Sequence, residues 1–333
     1  MNGHGQDGRA TANDTSTRDG GRLPRAARLW DTHPMMTLED CRRFYADEVR
    51  LAANIGSPAL IEAFARVPRE KYLGPPPWQI GSAEQRALSL VGMGSLNYTP
   101  TENPQDVYHN VVIALDAARD INNGQPGALA RWIDALDLKA GDRVYHLGCG
   151  VGYYTAIMAE VVGTGGVVVG SEVHTELAAR AKENLSGYAN VTVHVGDGAA
   201  FDPGVCDAMF INAGVTHPHR PWLERLREGG RLVLPVTMAI NPTVGQGLMV
   251  KITRERGAFS AQIVSVVAIF SCTSVRDPQL EPVIAKAFAG RALFKLKSVR
   301  LDAHEPTGTC ILHGSDVCVS GAEPEAISPA PTG

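Results

Sequence analysis

The sequence has no basic surplus: over 333 residues the formal net charge is −4 and the isoelectric point about 6.2. Nucleic-acid binding normally needs a positive face, so no nucleic-acid partner is expected. Its six cysteines, Cys41, Cys149, Cys206, Cys272, Cys310 and Cys318, show no paired spacing, and no apolar segment precedes a cleavage site near Met1. These two absences point to a reduced, cytoplasmic protein. The longest apolar run, 263–270, contains a serine and is far too short to cross a bilayer, so no membrane partner is expected either. Cys310, His313 and Cys318 are close in sequence, but three candidates at that spacing fit no common site, and no metal is expected. A Ser/His/Asp triad and a pair of catalytic acids are likewise lacking.

What the sequence does have is concentrated in 142–172, DRVYHLGCGVGYYTAIMAEVVGTGGVVVGSE. The β-branched and apolar run 143–147 meets Gly148, Gly150 and Gly152, and apolar residues then recur at helical spacing up to Gly163. A second apolar run, 167–169, ends in Glu172. The pattern predicts a strand, a loop stripped of side chains at alternate positions, a helix and a second strand. Such a loop lets a ligand press against backbone N–H groups at a helix N-terminus. Glu172, twenty residues past Gly152, is placed to accept hydrogen bonds from ribose hydroxyls. A nucleoside cofactor is the economical reading. A dinucleotide fingerprint would read G-x-G-x-x-G, whereas this loop reads G-x-G-x-G with Tyr153 following.

Elsewhere, 1–34 is polar and aperiodic and is expected to be a disordered tail. Thr37 with Asp40 predicts the start of a helix carrying Phe44, Val49, Leu51 and Ala52 as its apolar residues. Ser57-Pro58 caps a second helix with the stripe Leu60, Ile61, Phe64 and Val67, closed by Pro68. Together with 75–123, in which Pro75 to Pro77 read as a turn, 98–106 as loop and 108–116 as strand, these form a helical cap and insertion over 35–123. The insertion is either a peripheral addition with an edge strand or a lid or pocket wall over a bound substrate. Leu129, Trp132, Ile133 and Leu136 follow helical spacing after Pro126. Further strands are expected at 191–195, leading to Asp197-Gly198, at 207–211, leading to Asn212, and at 248–253 and 262–270 as an antiparallel edge hairpin. The core therefore spans 124–290, an extension 291–319, and a Pro- and Ala-rich tail 320–333.

Gly148-x-Gly150-x-Gly152, Glu172, Asp197-Gly198 and Gly229-Gly230-Arg231-Leu232-Val233, in that order, resemble the markers of class I S-adenosylmethionine-dependent methyltransferases. With the step Val67-Pro68-Arg69-Glu70, the run LGCGVGYYTA and the stretch PWLERLREGGRLVLPV, the chain is similar to the protein-L-isoaspartate O-methyltransferase family over about 37–75 and 120–290. The resemblance implies an α/β Rossmann-like, doubly wound and mostly parallel sheet with an antiparallel edge hairpin, and S-adenosyl-L-methionine as cofactor. It places Gly148, Gly150, Gly152, Tyr153, Glu172, Asp197 and Gly198 at that cofactor, with Asp197 beside the adenine. Two positions depart from the pattern. Gly124 stands where the family carries the serine of a Ser-x-Pro motif, and His146 stands where an acid is usual. Asn123, Gln125 and Asn212 are then the polar groups best placed for the acceptor, with His217 a weaker candidate.

The expected activity is methylation of a carboxylate on a peptide or small metabolite, chemistry that needs no general base because the acceptor is already ionised. Isoaspartyl repair itself is an alternative. Two others are a nicotinamide-dependent oxidoreductase, against which the glycine spacing counts, and a cofactor-binding protein without turnover. His146 is read as a neutral structural histidine, since a cation there would repel a sulfonium.

Overall fold

A computed structural model describes residues 36–90 and 92–324. The tail expected over 1–34 lies outside the described residues, as do 325–333.

Helix α1 (Leu38–Ala53) begins where a reciprocal capping box forms: Asp40 N–H donates to Thr37 Oγ1 at 3.1 Å and Thr37 N–H to Asp40 Oδ2 at 3.0 Å. Its buried stripe is Cys41, Tyr45, Val49 and Ala53, one residue per turn. Of the expected apolar residues Val49 is buried, but Phe44 and Leu51 are 63% and 70% exposed and Ala52 is exposed as well. The aromatic ring of Tyr45 decides the rotation by packing edge-on against Phe64 and Tyr108. Helix α2 (Pro58–Arg66) starts as expected, with Ser57 Oγ accepting from Leu60 N–H and Pro58 in the first turn.

Four short antiparallel strands follow, β1 (Trp78–Gly81), β2 (Tyr98–Thr101), β3 (Val112–Asp116) and β4 (Ile121–Asn122), with α3 (Ala83–Leu90) between β1 and β2. They form a separate sheet in the order β2-β1-β3-β4. The segment 98–106, read as loop, is thus a strand followed by a 3-10 turn, Pro104–Val107. Strand β2 accommodates Pro100 because it is an outer strand, where a residue without an N–H is tolerated.

Arg69, from the Val67-Pro68-Arg69-Glu70 step, explains how this region is held. It is fully buried, and its guanidinium donates to the carbonyls of Val107, His109 and Val111 at 2.8, 3.0 and 2.9 Å. It also lies over the rings of Tyr45 and Tyr153. One side chain therefore ties α1, the segment before β3 and the helix that follows the glycine loop.

Helix α4 (Pro126–Asp134) leads into the main sheet, with Leu129, Trp132, Ile133 and Leu136 buried as expected. The main sheet contains β5 (Arg143–Leu147), β6 (Val167–Glu172), β7 (Val191–Val195), β8 (Cys206–Ile211) and β9 (Leu226–Ala239), interleaved with α5 (Tyr153–Val162), α6 (Thr175–Asn184) and α7 (Arg220–Arg225). It continues through β10 (Val244–Glu255) and β11 (Ala258–Phe270), then α8 (Leu280–Ala289) and the short strands β12 (Ser298–Arg300), β13 (Cys310–His313) and β14 (Cys318–Ser320). The order is β13-β14-β12-β11-β10-β9-β8-β5-β6-β7.

Strands β7, β6, β5, β8 and β9 pair in parallel. The chain runs outward from β5 on one side and returns to build the other, so the order reverses beside β5. Ligands of doubly wound sheets bind at such a reversal. Alternation along β5 sends Val144 into the core shared with α1, α2 and α5, and Tyr145 into the core shared with α7 and α8. The hairpin β10–β11 forms as expected but is not the edge, because the extension adds three antiparallel strands beyond it. Ser320, assigned to the tail, is a buried strand residue.

Candidate cofactor and acceptor site

Leu147 is paired with Ser171 on one side and Ile211 on the other, so the loops leaving β5, β6 and β8 emerge together. The N–H groups of Gly148 and Cys149 both donate to the Ser171 carbonyl, at 2.9 and 3.0 Å. Asn212 N–H donates to the Leu147 carbonyl at 2.9 Å, and its Nδ2 to the Gly148 carbonyl at 3.3 Å. The glycine loop is therefore fixed to both neighbours before any ligand arrives.

Gly148, Gly150 and Gly152 all have positive φ, at 75°, 56° and 91°. Their surroundings differ. A Cβ on Gly148 would lie 3.1 Å from the Asn212 carbonyl oxygen, and one on Gly152 2.7 Å from Leu185 Cδ1, whereas one on Gly150 would meet nothing within 4 Å. Packing demands the outer two glycines, and the middle one opens onto free space. Glu172 closes the loop from below: Oε2 accepts from Gly150 N–H at 2.8 Å and Oε1 from His174 N–H at 3.0 Å. Each carboxylate oxygen keeps a lone pair for a ligand hydroxyl.

Next to it, the Glu172 carbonyl accepts from Gly196 N–H, which brings Asp197 to the same edge. Asp197 Oδ1 accepts from Ala199 N–H at 2.9 Å and Ser274 Oγ at 2.8 Å. Gly198 has a packing reason of its own. Its carbonyl takes the Tyr145 hydroxyl at 2.6 Å, and a side chain there would collide with Ser171 Oγ and Tyr145. Tyr153, expected at the cofactor, turns the other way: it is buried among Phe64, Tyr72 and Tyr154, which leaves only its backbone for a ligand at the helix start.

His146 is fully buried, stacked on Phe210, with Nδ1 2.9 Å from Thr155 Oγ1. Burial pushes its pKa down to about 3, so it carries no charge at neutral pH. Burial, followed by the charge of Glu172, raises the Cys149 thiol, which keeps it out of nucleophilic chemistry.

At the acceptor side, Gly124 has φ +70°, and a Cβ there would lie 2.8 Å from Leu129 Cδ2 and 3.8 Å from Tyr154 Cε2. Asn122 Oδ1 takes the Gly124 N–H and Asn123 N–H donates to the Ile113 carbonyl, so the junction is joined to the small sheet. Asn123 Nδ2, Tyr154 Oη and His146 Nε2 are buried polar atoms without a protein partner. Gln125 caps α4 without using its side chain. Asn212 joins the glycine loop directly, whereas Asn123 is hydrogen-bonded to the small sheet and Gln125 stands at the start of α4. His217 is partly buried and its Nδ1 is held by Thr216 Oγ1 at 2.9 Å.

A parallel sheet with its order reversed at β5, a glycine loop after β5 and an acid at the tip of β6 define the class I methyltransferase fold. Solved structures share it, two of which are similar over most of this chain. One is a protein-L-isoaspartate O-methyltransferase at TM-score 0.55 and 22% identity, covering 74% of this chain and 68% of that one. The other is a Plasmodium falciparum protein of the same description, solved with S-adenosyl-L-homocysteine, at TM-score 0.51 and 17% identity, covering 70% and 98%. At these identities the likeness establishes the fold alone. The family follows from sequence: residues 80–275 match the profile of protein-L-isoaspartate(D-aspartate) O-methyltransferase (PCMT), and the chain belongs to that family. Protein-L-isoaspartate O-methyltransferase 1 of Archaeoglobus fulgidus is 41% identical over 130 residues, spanning 37% of this chain and 60% of that protein. The Aeropyrum pernix protein-L-isoaspartate O-methyltransferase is 31% identical over 202 residues, 59% of this chain and 67% of its own length.

Proposed function

We propose that the chain is an S-adenosyl-L-methionine-dependent O-methyltransferase that esterifies a carboxylate on a peptide or a small metabolite, and that it works in the cytoplasm. The observation that carries this reading is the loop 148–152, whose middle glycine faces open space and whose backbone is held by Glu172. Such a cradle fits a nucleoside ligand. Glu172 would take the ribose hydroxyls, Asp197 the adenine side, and the N–H groups at the start of α5 the remaining polar edge. The cofactor, when bound, supplies a methyl group already activated on a sulfonium. The protein's part is alignment and exclusion of water. Neutral His146 places no cation beside that centre, and Asn123, Gln125 and Asn212 are the groups available to orient the acceptor carboxylate.

The acceptor is where this chain departs from its relatives. A hydroxyl at position 124 would need a side chain on a left-handed backbone pressed against Leu129, so Gly124 belongs to the local conformation. This favours an acceptor seated without that hydroxyl. Family membership favours the second reading, isoaspartyl repair. A screen with radiolabelled methyl donor against an isoaspartyl peptide, the matching aspartyl peptide and small carboxylic acids, read by base-released methanol, separates the two. The expected result is turnover on a carboxylate other than the isoaspartyl one. Efficient isoaspartyl turnover, with kcat/KM above roughly 10⁴ M⁻¹s⁻¹, returns the chain to repair chemistry. Calorimetric binding of NAD in place of the methyl donor or its demethylated product overturns the cofactor assignment.

A further inference from the structure

The extension carries a cluster that the sequence had offered only in part. Cys310 and His313 lie on β13 and Cys318 on β14, with His313 directly opposite Cys318 in the ladder. The segment before β13 folds back and adds His304, whose ring stands edge-on to His313 at 4.8 Å between centroids. One ligand atom from each of His304, Cys310, His313 and Cys318 lies within 4.8 Å of the other three.

We propose that these four side chains form a structural zinc site. Two thiolates and two imidazoles are a donor set that soft and borderline ions take and that magnesium and calcium do not. Four protein ligands complete a tetrahedron and leave no open position, which marks a structural role. With Zn–S of about 2.3 Å and Zn–N of about 2.0–2.1 Å, tetrahedral ligand atoms stand about 3.4–3.8 Å apart. His304 Nε2 and Cys310 Sγ are already 3.5 Å apart, and the remaining pairs need to close by at most about 1.0–1.4 Å, measured from the 4.8 Å bound.

The surroundings match the same assignment. His304 Nδ1 lies 2.9 Å from the Asp302 carbonyl and 3.5 Å from its carboxylate, which places the ring proton there and frees Nε2 on the side of Cys310. Thr307 N–H and Oγ1 each approach Cys310 Sγ at 3.3 Å, as donors to a thiolate would. His313 Nδ1 is buried without a hydrogen-bond partner. The sequence signal was H-x5-C-x2-H-x4-C, visible only once His304 is counted. An ion here has mechanical work to do. Strands β12, β13 and β14 have three, four and three residues, the short end of the usual range, so an ion joining β13, β14 and the segment before them would staple this edge.

The test uses the full-length chain with any affinity tag removed, purified under reducing conditions. Elemental analysis is expected to give one zinc per chain. Replacement by cobalt(II) is expected to give the visible bands of a tetrahedral ion together with a thiolate charge-transfer band in the near ultraviolet. Because these spectra come from the unaltered protein, the answer does not depend on a variant folding. Cys310→Ser and His304→Ala are each expected to lower bound zinc at least tenfold. They should leave cofactor affinity within about twofold, since β13 stands seven strand positions from β5, on the order of 30 Å away. A chain that takes up neither ion, or one isolated with a Cys310–Cys318 disulfide and no metal, overturns the site and leaves the proposed function standing.

Discussion

Gly150→Val isolates the role of the glycine loop in a way that substitution of its neighbours cannot. Valine at Gly148 or Gly152 would drive a side chain into the Asn212 carbonyl or into Leu185, so any loss of binding there would be mixed with damage to the core. At Gly150 the direction a Cβ would take is empty, and the only cost to the free protein is holding a branched residue at φ +56°. That strain is about 1–2 kcal/mol, a fall of roughly 2–8 °C in Tm for a chain of this size. Binding is affected far more, because the side chain fills the space where a ligand meets the loop. An increase of at least about 100-fold in Kd, roughly 2.7 kcal/mol, is expected in calorimetry with S-adenosyl-L-homocysteine. Thermal melts and circular dichroism on the same samples establish folding. A folded variant whose Kd stays within threefold of the parent refutes the reasoning and makes the loop an ordinary turn.

Glu172→Ala is expected to weaken cofactor binding by about 1.5–3 kcal/mol, read by the same calorimetry, and an unchanged affinity would remove Glu172 from the site. Arg69→Met keeps most of the volume but takes the donor from one buried and two part-buried carbonyls, so a loss of about 1–3 kcal/mol in urea unfolding is expected; an unchanged stability would show that water serves those carbonyls equally well. For His146 the folded pKa of about 3 lies below the ordinary 6.5. The unfolded chain therefore takes up a proton that the folded chain refuses, and stability is full above about pH 6.5 and falls by about 1.4 kcal/mol per unit below it. His146→Gln should flatten that slope between pH 6.5 and 4.5, and an equal slope in both proteins would assign the acid sensitivity elsewhere. Gly124→Ser should be destabilised by about 1–2 kcal/mol through its left-handed backbone and should not gain isoaspartyl turnover in a methanol-release assay; robust gain would restore the family's serine role at that position.

The parts of the fold governed by short-range rules were legible in the sequence. Thr37, Ser57 and Pro126 start helices through local hydrogen bonds and fixed φ angles, and the glycine loop with Glu172 obeys a spacing rule within one β-α-β unit. What was misread depends on distant partners. The face of α1 is chosen by rings contributed by α2 and by Tyr108, so apolar character alone pointed to Phe44 and Leu51. Strand β2 exists because β1 offers it an edge, which nothing within 98–106 announces. Tyr153 follows the glycine loop in sequence but is claimed by the cap. His304 is separated from its cluster by a loop whose return path only the fold reveals.

The reach of Arg69 sets the unit in which this protein can be re-engineered. Its three carbonyl partners lie in the segment that leads into β3, and its ring partners lie on α1 and α5. A chimera that transplanted 75–123 alone from a relative would replace the segment whose carbonyls Arg69 meets, and any shift of that backbone leaves the buried guanidinium short of acceptors. The smallest interchangeable piece begins before α1 and ends at Gly124, with the residues facing Tyr153 matched on the recipient. The insertion and the helices before it are therefore coupled as one block, and mutagenesis confined to the insertion works against an anchor placed outside it.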